Sequence, residues 1–155
     1  MKVEYINPFI EASRNVIAET TGLNPVLGKI YIKDIPYMAN SVVVMIGITG
    51  AIQGSVIISL KRTLACKIAS AMMGGMLVPE LDEIAKSAIA ELCNMILGNT
   101  SNIFYKNNMD IDITPPTVLT GENMQFSIAK SVIVCVPLEF CDEERMEIAI
   151  TYKEK

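Results

Sequence analysis

At 155 residues the chain has the length of one domain spanning 1–155, enough to bury a sizeable core. An apolar fraction of 51% against 19% charged predicts a folded chain, not a disordered one. A net charge of −4 with no basic block argues against a nucleic-acid partner, and the lack of any histidine excludes a Cys/His zinc site.

Asn7-Pro8 reads as the N-cap and first position of a helix that buries Phe9, Ala12, Val16 and Ile17 and stops at Gly22. Val26 to Lys33 reads as a strand. Val42–Ile48 and Ser55–Leu60 read as a hairpin, with Gly47, Gly50 and Gly54 at the bend. A second helix is expected from Thr63 to Met73, ended by Gly74-Gly75. The longest helix is expected from Glu80 to Lys106, after Pro79. Ile111 to Leu119 is extended around Pro115-Pro116. Phe126 to Phe140 alternates, with Phe126, Ile128, Val132, Val134, Val136, Leu138 and Phe140 on one face. Asp142-Glu143-Glu144 reads as a solvated turn. In the last strand Met146, Ile148, Ile150 and Tyr152 alternate with Glu147, Ala149, Thr151 and Lys153. These patterns predict an α+β fold in two layers: an antiparallel six-stranded sheet with helices on one face and water on the other.

Ile35 to Leu60 carries no charged residue, but its longest apolar run, Val42–Ile48, is too short to span a bilayer. The N-terminus lacks the apolar core of a secretory signal. Cys66, Cys93, Cys135 and Cys141 form no CxxC pair and sit in apolar stretches, which reads as buried, reduced thiols. Both observations point to a reducing cytoplasm. The segment at Met72-Met73-Gly74-Gly75-Met76 reads as a helix end packing into the core.

Within the long helix, Leu81, Ile84, Ala85, Ala88, Ile89, Leu92, Ile96 and Ile103 form the expected buried side. Ser87, Glu91, Asn94 and Gly98 follow at spacings of four, three and four on the opposite side. That stripe is polar but nearly free of long charged side chains. Small residues at 87 and 98 would let another protein approach the backbone. Gly98 costs about 1 kcal/mol against alanine inside a helix, which suggests a use other than helix formation. Taken alone, a glutamate and an asparagine three apart on an exposed face are common.

The run ELCNMILGN from Glu91 to Asn99 resembles the ExxN signature of the CheC/CheX/FliY family of chemotaxis phosphatases. Ile46–Leu60, Ala69–Met76, Asp112–Val118 and Tyr5–Ala12 resemble other segments of the same family, in order and over nearly the whole chain. The signature occurs once: Glu11 and Asn15 in the first helix are four apart, with Arg14 where an asparagine would fall. The resemblance therefore implies one site per chain, in the manner of the CheX branch and not of CheC.

The resemblance implies a cytoplasmic enzyme that hydrolyses the phosphoaspartate of a CheY-like response regulator. It assigns Asn94 to positioning the attacking water and Glu91 to docking on the regulator's lysine, with Ser87, Gly98 and Asn99 lining the docking face. No cofactor of the chain's own is implied; Mg²⁺ is expected on the regulator. A homodimer through a sheet edge is also implied. The alternatives are a non-catalytic module that binds a regulator or scaffold, and a motor-associated domain built on the same fold.

Overall fold

The computed structural model describes residues 2–33, 37–127 and 132–154. Ile35, Pro36 and Ile128, used in the sequence reading, lie outside them. Helix α1 runs Val3–Thr21. Short strands β1 (Val26–Leu27), β2 (Tyr31–Lys33) and β3 (Tyr37–Met38) lead to a hairpin of β4 (Val42–Gly50) and β5 (Ile52–Leu60). Helices α2 (Arg62–Met72) and α3 (Glu83–Lys106) come next. The chain closes with β6 (Ile111–Ile113), β7 (Thr117–Thr120), β8 (Gln125–Phe126), β9 (Ile133–Glu139) and β10 (Arg145–Glu154).

The main sheet is antiparallel in the order β1-β9-β10-β5-β4-β6. It is six strands wide, as expected, because β2 shares the flank of β9 with β1, and β7 shares the flank of β4 with β6. Register follows the alternation. Met146, Ile148 and Ile150 pair with Leu60, Ile58 and Val56, which pair in turn with Val42, Val44 and Ile46. All nine are buried on the face that carries the helices. Each such side chain contributes about 1.5–3 kcal/mol on leaving water.

The opposite face is not wet. Val43, Ile57, Ile133, Cys135 and Ala149 form a second cluster there, covered by Tyr31, Ala39, Met45, Leu119, Met124 and Phe126. Phe126 therefore does not extend β9. It sits in β8, which pairs with β3 in a separate two-stranded sheet. The expected strand from Val26 to Lys33 is likewise two pieces, both on β9.

Helix α1 begins four residues before the expected N-cap and carries Pro8 inside it. The hydrogen bond that proline forgoes would have reached the carbonyl of Glu4, an exposed residue of the first turn, where a missing bond costs little. Gly50 lies at the tip of the β4–β5 hairpin with φ of 109°, a conformation open to glycine. Gly54 is needed for a different reason: a Cβ there would stand 1.8 Å from the carbonyl oxygen of Thr151.

The turn at 141–144 is only partly solvated. Glu144 is half-buried and accepts a hydrogen bond from Thr63 at 2.8 Å, tying the turn to the first turn of α2. Cys141, expected to be buried, is exposed in the same turn, and Cys66 is half-buried. Met72 packs against the core at the end of α2, whereas Met76 is exposed beyond it. Among the described residues no helix is long and apolar enough to cross a membrane.

Candidate functional site on helix α3

Asp82 starts α3 by accepting a hydrogen bond from the backbone N–H of Ala85 at 2.8 Å. Glu83 in the first turn and Lys106 in the last oppose the helix dipole favourably. The buried side is Ala85, Ile89, Leu92, Cys93, Ile96, Leu97, Thr100 and Phe104. Phe104 meets Phe9 of α1 edge-to-face, with ring centroids 5.8 Å apart. Ser101 Oγ donates to the carbonyl of Ile111 at 3.0 Å and joins the helix to β6. Held from both sides, α3 has one free face.

Ser87, Glu91, Asn94 and Gly98 occupy that face. Ser87 and Glu91 are exposed, and Asn94 and Gly98 are half-buried. One helix turn sets Glu91 and Asn94 about 5–6 Å apart at Cβ, both aimed outward. Among the described residues no cation pairs with Glu91, so its carboxylate is uncommitted. Asn99 is half-buried on the flank of the stripe. A Cβ at Gly98 would have no heavy atom within 4 Å, so the fold itself does not require glycine there.

One residue departs from the sequence reading. Ile84, assigned to the buried side, is 67% exposed. It lies about 140° around the helix from Ile89, the centre of the packed side, and about 20° from Glu91. Met95 is also exposed on this face. An apolar side chain counted by type alone is drawn toward the core stripe, and only its angle to the observed packing corrects it.

Cys93, between the pair in sequence, points into the core, and burial pushes its thiol up to about 12. It stays protonated and offers no nucleophile. Among the described residues no group of three or more Cys, Asp and Glu side chains stands together to hold a metal ion. A groove of about 800 Å³ runs between α2 and the segment 77–81, lined in part by Arg62, Cys66, Lys67 and Leu77, and neither Glu91 nor Asn94 faces it. The pair stands on the outward side of α3, Glu91 exposed and Asn94 half-buried, where a macromolecule that brings its own cleft could receive both side chains.

A helix layer over an antiparallel sheet is the fold expected from the resemblance above. Residues 42–139 match the family model described as chemotaxis phosphatase CheX. The chain is 36% identical over 153 residues to the CheY-P phosphatase CheX of Thermotoga maritima, covering 99% of this chain and 98% of that one. It therefore belongs to the CheX family of chemotaxis phosphatases. Among solved structures it is similar to CheX in the CheX–CheY–BeF3–Mg²⁺ complex from Borrelia burgdorferi, with 28% identity, a TM-score of 0.84, and 99% and 100% of the two chains covered. It is also similar to chemotaxis protein CheX from Vibrio vulnificus, with 25% identity, a TM-score of 0.87, and 97% and 100% covered.

Proposed function

We propose that the chain hydrolyses the phosphoaspartate of a CheY-like response regulator, with Asn94 aligning the attacking water and Glu91 docking on the regulator. The observation that carries this reading is the placement of Glu91 and Asn94 one turn apart on the side of α3 turned away from the core. The T. maritima relative acts on CheY-P, and the B. burgdorferi relative was solved with CheY, BeF3 and Mg²⁺, which supports the same partner here.

The chemistry asks little of this chain. The acyl phosphate and Mg²⁺ belong to the substrate, so charge on the phosphoryl group is largely neutralised before the phosphatase arrives. Water attacks phosphorus, the bond from phosphorus to the aspartyl oxygen breaks, and the aspartate leaves as carboxylate. The water's proton ends on phosphate or solvent. What is missing is a water held in line with the leaving oxygen. A carboxamide suits that task, because its C=O accepts from the water, its NH₂ donates, and it is neutral beside phosphate. An ionised Glu91 would be repelled by the phosphoryl group. Pairing with the regulator's lysine draws it in instead. Ser87, Gly98 and Asn99 border the docking face, and no cofactor is required of this chain.

The chain acts as a single domain in the cytoplasm, as a homodimer through a sheet edge. Of the two flanks, the one formed by β1 and β2 carries the more exposed apolar surface, with Val26 at 65% and Ile32 at 58%.

The test is to phosphorylate a cognate regulator and time its phosphate loss with this protein and with Asn94→Ala. Acceleration by the parent alone, with binding kept by both, is expected. Tight binding without acceleration would identify a non-catalytic binder. Equal acceleration by both proteins would remove Asn94 from the mechanism. Co-purification with a flagellar switch, indifferent to phosphorylation, would identify a motor domain.

A further inference from the structure

We infer that Ile84, Met95 and Tyr105 form an apolar ridge by which α3 grips the phosphorylated receiver domain, and that this ridge sets which receiver is accepted. The inference rests on the hydrolase reading above. The three side chains are 67%, 38% and 71% exposed. Scattered exposed apolar residues are ordinary on any protein. These are not scattered. At about 100° per residue, all three fall with Glu91 and Gly98 inside a sector of about 80°. With a rise of about 1.5 Å per residue, Ile84 stands about 10 Å before Glu91, Met95 about 6 Å after it and Tyr105 about 21 Å after it. The pair is thus bracketed by large apolar groups along one line.

The composition of the line matches a recognition surface. Aromatic and methionine side chains are enriched at the centres of protein interfaces, while a helix face meant for water carries lysine and glutamate. Methionine adapts to the shape it meets, and tyrosine offers wide contact at little entropic cost. Gly98 lowers the helix surface between Met95 and Tyr105, with no internal neighbour demanding it. A partner could therefore bear on the backbone between two anchors.

The occupant is the receiver and not a second copy of this chain. A copy seated on the ridge would cover Glu91, which lies in the same sector, and crowd Asn94, which lies about 20° beyond its edge. Glu91 and Asn94 meet groups every phosphorylated receiver must possess, an acyl phosphate and a lysine, so they cannot tell receivers apart. The apolar surface around the receiver's phosphorylation site can differ, and the ridge is what would read it.

The test compares the parent with Ile84→Gln, Met95→Gln, their double variant and Tyr105→Ser in steady-state hydrolysis over a range of phosphorylated receiver. Sedimentation of each protein alone is run beside it. Glutamine is a good helix former on an exposed face, so Tm should hold for the glutamine variants. The double variant is expected to raise KM about tenfold while kcat stays within about twofold, as loss of interface anchors predicts. An unchanged KM would overturn the ridge. A change in self-association with KM unchanged would assign the face to a second copy and also overturn it. Should the parent hydrolyse nothing, the hydrolase reading falls separately. The affinities of parent and double variant for the BeF3-activated receiver then decide: about tenfold weaker binding supports the ridge and equal binding overturns it.

Discussion

The Tyr31 hydroxyl donates to Glu147 Oε2 at 2.5 Å, across β9 on the face of the sheet away from the helices. Arg145 Nη2 donates to the same oxygen at 3.0 Å, and its guanidinium lies 5.9 Å from the Tyr31 ring centroid. Burial, and then the Glu147 carboxylate, push the tyrosine well above the usual phenol range. Glu147, 9% exposed as a residue, is held by these donors. Tyr31→Phe should lower stability by about 1–2 kcal/mol in urea denaturation. Regulator dephosphorylation should be unchanged, since α3 lies on the other face.

Glu91 and Asn94 should separate kinetically. Glu91→Gln should raise KM for the phosphorylated regulator and flatten the salt dependence of docking, because a charged contact is lost. Asn94→Ala should instead lower kcat, by about a hundredfold if positioning water is its role, with KM little changed. Stopped-flow turnover at two ionic strengths reads both.

Gly98→Ala should stabilise the protein by up to about 1 kcal/mol, because a helix interior favours alanine and nothing crowds its Cβ. The same variant should lower kcat/KM on the regulator. Gly54→Ala is the contrasting case. With the Thr151 carbonyl oxygen 1.8 Å from the new Cβ, it should cost several kcal/mol, on the order of 2–4, in a thermal melt.

Alkaline pH should destabilise the fold through Cys93. Burial raises its thiol from 9.0 to about 12. A native pKa above the unfolded one means that the native state keeps its proton longer. The stabilisation is complete below about pH 9 and is lost as pH climbs toward 12. The slope approaches about 1.4 kcal/mol per pH unit for one thiol. Cys135, raised to about 11 chiefly by burial, adds to the slope in the lower part of that window. Denaturation midpoints measured from pH 8 to 11 should fall accordingly. At pH 8, a thiol reagent should label exposed Cys141 readily and leave Cys93 untouched until unfolding.

The helix layer and the β4–β5 hairpin were legible because Val42–Ile48 and Ser55–Leu60 are short apolar runs around glycines, because Met146–Tyr152 alternates, and because the ExxN run lies on a helix with a strong core stripe. The covered second face was not. The side chains that cover it, among them Tyr31, Met124 and Phe126, come from short strands and connections without periodicity. Alternating residues such as Glu147 and Thr151 therefore looked solvated, although both are buried. Pro8 misled for a related reason: its usual place at a helix start is a matter of preference, and one missing bond in an exposed turn is tolerated. Ile84 is apolar by type, but its helical angle sets it beside Glu91 and not in the core.

Strand β10 is made after every other element of the fold, yet it lies at the centre of the sheet, between β9 and β5. During synthesis, β4 and β5 can pair and the helices can form, but among the described residues no strand other than β10 pairs with both halves of the sheet. The surface that β10 will cover is a row of open backbone groups flanked by apolar side chains, the kind of edge that invites association between chains. A chain cut off before Arg145 would therefore yield a split sheet, with the ExxN helix displayed on a scaffold that cannot close.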